Sequence, residues 1–150
     1  MIMDKESKKL LVKIVTPAGT TYTGSAQMVV APASQGTVGI LPHHISFFSK
    51  LNPGEVKIKE DNKEEFFAVT GGFIDVNADG QVSILTDSAQ RSEAIDEKAA
   101  AAAKEKAEKL LSERQKLSEK EFAIAEASLR KALLELKVAK KRREKIFPSG

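Results

Sequence analysis

Leu10-Leu-Val-Lys-Ile-Val-Thr-Pro-Ala-Gly19 decides how the first half of this chain folds. Leu10, Val12 and Ile14 alternate with Leu11, Lys13 and Val15, a period of two that suits an extended strand. The run halts at Pro17-Ala18-Gly19, as a strand entering a turn should. Further short apolar or alternating runs follow at residues 20–23, 26–31, 38–41, 46–50, 55–59, 65–69, 73–76 and 81–85. Between them stand the turn signals Asn52-Pro53-Gly54, Asp61-Asn62, Gly71-Gly72 and Asn77-Ala78-Asp79-Gly80. Strands this closely spaced leave no room for crossover helices. The expectation is an antiparallel β-sandwich or barrel of about ten strands.

Past this region the composition changes. The first part holds eight of the nine glycines and four of the five prolines, whereas residues 92–147 contain neither and are rich in Ala, Leu, Glu and Lys. Gly and Pro punctuate turns, and the other four favour helix. The reading is therefore two domains, a sandwich over residues 1–91 and a helical domain over 92–150. Charge divides with them: Lys and Arg against Asp and Glu give a net −1 before Ser92 and +4 from there on, within an overall +3. At 150 residues the chain excludes two full enzyme domains. With no cysteine it also excludes disulfides, thiolate catalysis and cysteine-based zinc sites. The opening residues 1–9 mix both charge signs and lack the apolar run of a signal or anchor.

Residues 14–49 are 36 consecutive positions without Asp, Glu, Lys or Arg. A neutral surface of Ser, Thr and Gln would account for them; so would a docking face, since depletion of charge marks interface cores. Residues 38–48 favour docking, because Ile40, Leu41, Ile45, Phe47 and Phe48 outnumber the polar groups there. The stretch is interrupted by Pro and Gly and is never long or apolar enough to span a membrane.

In the second domain Asp96 is placed to cap a first helix whose small residues Ala100, Ala103 and Ala107, then Leu110, share a face. Ser118 and Glu121 form a capping box for a second helix. Its stripe, Phe122, Ala125, Leu129, Ala132, Leu136 and Ala139, has the spacing of a helix–helix seam. The two seams predict an antiparallel two-helix hairpin. The break at residues 112–116 contains neither Gly nor Pro, so opening the hairpin into extended helices meets little backbone resistance. Two arrangements separated by a few kcal/mol are expected. Near the end Lys137, Lys140, Lys141, Arg142, Arg143 and Lys145 gather six positive charges, more than a helix C-terminus needs, and suggest an acidic partner surface. No aromatic residues are interleaved for base stacking.

Catalytic patterns are poor. The only histidines are the neighbours His43 and His44, which point to opposite sides of extended backbone and chelate badly, and no phosphate-binding Gly-rich loop is present. The expectations are no metal, no cofactor and no enzyme.

Several segments in order resemble the epsilon subunit of the rotary F-type ATP synthase of bacteria: Thr16-Pro17, Tyr22-Thr23-Gly24, Gly36-Thr37-Val38-Gly39-Ile40-Leu41-Pro42-His43-His44, Gly71-Gly72-Phe73-Ile74-Asp75-Val76, Ile84-Leu85-Thr86-Asp87-Ser88-Ala89 and Ile95-Asp96. The resemblance implies a ten-stranded sandwich with a two-helix domain. It also implies a non-catalytic place in the central stalk on the cytoplasmic face of the membrane, which the chain meets only through the complex. It assigns Ser34, Gln35, Gly36 and Thr37 to the ring of c subunits and Ile40, Leu41, Pro42, His43 and His44 to the gamma subunit. The basic residues from Lys137 to Lys145 are assigned to an inhibitory contact with the catalytic alpha and beta subunits. Some relatives bind regulatory ATP through Ile/Leu-Asp-x-x-Arg-Ala; here Asp96 remains but Ala99 stands at the arginine's place, so nucleotide binding is expected to be weak or absent. The competing reading is a free-standing binding module whose basic tail holds nucleic acid or an acidic protein.

Overall fold

The computed structural model describes residues 9–43 and 45–146, and of residues 142–146 the backbone only. The chain divides into two compact units that meet between Ala89 and Gln90.

The first unit is built of strands β1 (Leu10–Thr16), β2 (Gly19–Ala26), β3 (Met28–Ala33), β4 (Gly36–Ile40), β5 (Phe47–Leu51), β6 (Gly54–Glu60), β7 (Lys63–Val69), β8 (Gly72–Val76) and β9 (Gln81–Leu85), with β10 (Ala89–Arg91) at the boundary. They hydrogen-bond in the order β10-β7-β6-β3-β5-β8-β9-β1-β2, with β4 on the free side of β3. In most strands one parity faces inward, whereas β7 buries Phe66, Phe67, Ala68 and Val69 in succession. Leu10, Val12 and Ile14 meet Val29, Val56, Phe67, Ile74 and Ile84 in a continuous core whose members are at most 2% exposed. Tyr22 adds its ring edge to Phe67, centroids 5.4 Å apart.

Two features depart from expectation. β1 pairs with β9 in parallel, Leu11 opposite Gln81 through Val15 opposite Leu85, inside an otherwise antiparallel sheet. The rule that parallel neighbours need a crossover helix applies to strands joined directly; here seven other strands make the connection. β10 was not anticipated, because its three residues are too few to carry a periodic signal.

Turn chemistry fixes where strands stop. Gly72 has φ +115°, and a Cβ there would collide with the carbonyl of Leu85 on the paired strand β9. Only glycine fits that approach.

The second unit opens with a turn of 3-10 helix (Ser92–Ala94) and continues with α1 (Glu97–Ser112), a second 3-10 turn (Arg114–Lys116) and α2 (Glu119–Ile146). Asp96 caps α1 by accepting from the Ala99 N–H at 3.0 Å. Ser118 and Glu121 cap α2 reciprocally: the Ser118 N–H donates to Glu121 Oε1 at 2.9 Å, and the Glu121 N–H to Ser118 Oγ at 3.1 Å. The helices pack as a hairpin along an alanine seam of Ala100 and Ala107 on α1 with Ala125 and Ala132 on α2, none more than 4% exposed. Ala103 and Leu110, expected in that seam, lie at its rim and are exposed. At 3.6 residues per turn a step of three falls about 60° short of a full turn and a step of four about 40° past it, so alternate members of the stripe sit to one side of the contact line.

Gly72→Ala should lower the unfolding free energy by at least about 2 kcal/mol through backbone strain and collision. Gly39→Ala, where an added Cβ meets nothing within 4 Å, should change it by less than about 0.5 kcal/mol. Chemical denaturation of the full chain followed by circular dichroism checks both, and equal effects would contradict the packing described.

Candidate docking surfaces

The charge-free stretch forms β2, β3, β4 and the loops around them. Ser34 and Gln35 make a two-residue turn between Ala33 and Gly36, and Ser34, Gln35, Gly36 and Thr37 are all exposed. The turn is tied to β5 by the Ser34 N–H, which donates to the Lys50 carbonyl at 2.9 Å. Asn52 adds two bonds, its N–H to the Pro32 carbonyl at 2.8 Å and its side-chain amide to the Ala33 carbonyl at 3.3 Å. A neutral polar tip is thus presented on a braced hairpin.

At the other end of β4 the chain leaves through Leu41, Pro42 and His43. Leu41 is 54% exposed, Pro42 half-buried and His43 exposed with φ 72°. Ile45 beyond them is 80% exposed. His44 lies outside the described residues. Ile40 does not belong to this surface: its side chain is fully buried in the core, so the expectation that it faces a partner is corrected. The alternation that turns Leu41 outward turns Ile40 in.

A second apolar exposure lies on the outer face of β5, β8 and β9. Phe48 and Phe73 stack there at a centroid distance of 5.7 Å with 13° between planes, although both remain about half in water or more. Leu85, opposite Phe73 in the register, extends the face; Leu11 on β1 is exposed on the same side but lies opposite Gln81, with Lys13 and Ser83 between it and Leu85. A depression of about 440 Å³ opens between Val15, Pro17, Phe73 and Leu85. Sequence reading found Phe48 and missed Phe73, Leu85 and Leu11. Their signal was present: each strand carries a large apolar residue on the parity that an outward face gives to polar groups. Exposed, contiguous apolar surface of this kind marks interaction sites.

On the helical unit, Lys137, Lys140 and Lys141 are exposed on the last turns of α2; the side chains of Arg142, Arg143 and Lys145 lie outside the described residues. Asp96 is engaged as a cap, and Ala99, at the position of the nucleotide motif's arginine, supplies only its backbone N–H to that cap. Among the described residues no group of three or more His, Asp or Glu is placed to hold a metal. Also among them, no helix is long and apolar enough to cross a membrane.

Two family models cover this arrangement. Residues 9–92 match the ATP synthase delta/epsilon chain beta-sandwich domain, and residues 93–140 match the long alpha-helix domain of the same chain. The chain belongs to the ATP synthase delta/epsilon family. The ATP synthase epsilon chain of Nitrosococcus oceani is 39% identical over 136 residues, covering 90% of this chain and 95% of that one. That of Bacillus velezensis is 41% identical over 132 residues, covering 88% and 98%. In fold, the chain is similar to one in the mitochondrial ATP synthase OSCP/F1/c-ring assembly of Euglena gracilis, with a TM-score of 0.72 at 23% identity, covering 87% of this chain and 81% of that one. Epsilon chains are subunits of a larger enzyme, and this one is itself non-catalytic.

Two carboxylates in the family fold are held in their charged form. Glu60 is kept below its ordinary value by its hydrogen bond from Lys9, at 2.9 Å, and by the Ser25 hydroxyl at 2.7 Å. Glu121 is lowered by the Ser118 backbone N–H and then by the Ser118 hydroxyl. A depressed carboxyl contributes stability that is present above its unfolded value and lost as pH falls through the folded one. Acidification from pH 5 through that range should therefore fray the start of α2, read as faster amide exchange at residues 118–122. Glu121→Gln, which keeps the capping geometry, should remove that pH dependence while leaving the helix. Persistence of the dependence in the glutamine variant would show that another group carries it.

Proposed function

We propose that this chain is the epsilon subunit of the central stalk: a non-catalytic rotor part that joins the gamma subunit to the ring of c subunits and restrains ATP hydrolysis with its helical unit. The carrying observation is the coincidence of family membership with an exposed apolar sheet face, Phe48 stacked on Phe73 beside Leu85. Two stacked phenylalanines beside a leucine are costly to leave in water and suit permanent contact with a shaft, while Lys50, opposite Phe73, and Asp75, opposite Phe48, give the same face a charged border. Leu41, Pro42 and His43 adjoin the start of β5 and serve the gamma side. The braced tip of Ser34, Gln35, Gly36 and Thr37 serves the ring.

The hairpin supplies the restraint. Its seam is made of alanines, its turn tolerates helix, and Lys137, Lys140 and Lys141 offer cations to an acidic segment of the alpha and beta subunits. The chain is thereby held peripherally at the cytoplasmic side of the bacterial membrane, through the complex and not by insertion. Regulatory ATP has no place in this reading. Ala99 provides no guanidinium fork for phosphate, and Asp96 is already engaged by a backbone N–H. The free-standing module with a basic tail is the weaker reading, since relatives matching nearly the whole chain carry the epsilon name.

Phe48→Ser combined with Phe73→Ser should weaken retention of the gamma subunit by at least about thirtyfold, the scale of losing one aromatic hot spot. Titration by interferometry reads the change, and undiminished retention would remove the sheet face from the interface. Deleting residues 92–150 should leave assembly intact and raise hydrolysis by the complex severalfold. An unaltered hydrolysis rate would end the inhibitory reading. Replacing Lys137, Lys140 and Lys141 with Gln should relieve part of the inhibition at low ionic strength and little at high, where salt already screens the contact.

A further inference from the structure

The turn between α1 and α2 holds side-chain contacts that depend on the chain bending there. The Arg114 guanidinium carbon lies 4.3 Å from the ring centroid of Phe122, within the first turn of α2. Ser118 and Glu121 each accept the other's backbone N–H.

A continuous helix through this segment would destroy both. Residues 114 and 122 would stand eight positions apart, about 12 Å along the axis, beyond the reach of a stacked guanidinium. The N–H groups of Ser118 and Glu121 would turn to the carbonyls of Arg114 and Leu117, and the capping box would have no donors left. Meanwhile every residue from Ser112 to Ser118 accepts helical backbone at small cost. Propensity therefore does not choose between the bent and the straight arrangement; side-chain contacts at the bend do.

We propose that the Arg114–Phe122 stack and the Ser118–Glu121 capping box form a latch that sets how often the hairpin opens. This deepens the reading of the helical unit as a brake and depends on that reading only for its consequence in the motor. An exposed cation–π pair is worth two- to fivefold in an equilibrium and an N-cap about fivefold. Losing both should raise opening by about an order of magnitude.

The chain has no cysteine, so Ala107→Cys, at a seam position 2% exposed, gives a single thiol that reacts only when the seam parts. In the full-length chain, Arg114→Gln and Phe122→Leu should each raise the labelling rate about threefold. Combined, they should raise it no further than the stronger single change, because the two residues act through one contact. Ser118→Ala should add an independent acceleration of about fivefold. Ala123→Gly weakens α2 equally in bent and straight states and should leave the rate within twofold. Ala125→Cys, on the other side of the seam, serves as a second background should the first disturb packing. An Arg114→Gln rate within twofold of the parent overturns the latch. So does a double variant whose acceleration is the product of the singles, or an Ala123→Gly variant as fast as the others, which would mean that opening is helix melting. Hydrolysis by the complex reassembled with Arg114→Gln is read separately. Faster labelling with unchanged hydrolysis would leave the latch standing and remove the brake.

Discussion

The structure depends on a constraint of solvation: a two-layer sandwich must dry one side of every strand, and charge is what ordinarily keeps the other side wet. From Ile14 to Ser49 this chain offers no charge at all. The inward parity is unremarkable, with Val29, Ala31 and Ile40 fully buried. The outward parity is where the molecule differs. Among the described residues β2 ends the hydrogen-bonded order and β4 pairs with β3, so both are sheet edges, and natural edges are guarded by lysine, proline or a cover. Neither strand carries a charged residue or a proline. A monomer in free solution would find that arrangement hazardous, whereas a subunit covered by its neighbours would not. The same reasoning applies to Phe48, Phe73 and Leu85 on the adjoining face.

The two units are held by different amounts of apolar surface. The sandwich core closes around Phe67, Leu10, Ile14, Ile40 and other branched residues that are almost wholly buried. Each large side chain so buried contributes roughly 1.5–3 kcal/mol. Among the described residues of the hairpin the fully buried positions are alanines except for Val138, with larger residues such as Phe122 and Leu129 only partly buried, and an alanine methyl contributes closer to about 0.8 kcal/mol. Small residues let the helix backbones approach, but little is lost when they separate. A stiff sandwich joined to a loosely zipped hairpin divides the labour of the chain, one part keeping its shape under load and the other free to change partner.

Much of this was legible in one dimension, and the failures have physical causes. Alternation and turn residues located nearly every strand, and the composition shift placed the helices, because period and glycine content are local properties. The caps at Asp96 and Ser118 were readable for the same reason, since each involves residues three positions apart. Parallel pairing of β1 with β9 was not legible: it depends on which remote strands meet. Burial of Ile40 followed from a parity that the approximate strand end concealed, and exposure of Ala103 from the angular offset of a three-residue step within a correctly identified stripe. The patch of Phe48, Phe73 and Leu85 is assembled from three separate strands, so no single segment announced it. Its trace was a large apolar residue on the wrong parity of each strand, informative only once register was known.

β4 ties these observations to the proposed role. Its five residues span about 16 Å of extended chain, and the two loops assigned to different neighbours leave from its opposite ends. Were either loop flexible, rotation of one neighbour would be absorbed before it reached the other. Instead, β4 pairs with β3 along its full length, and the Ser34 turn is fastened to Lys50 while Asn52 grips Pro32 and Ala33. Backbone hydrogen bonds of this kind resist shear through many small contributions acting together, and none of them requires charge. A neutral strand braced on its paired side and exposed at both ends can therefore carry load between two partners. The charge-free composition that makes the surface adhesive is compatible with the rigidity that transmission demands.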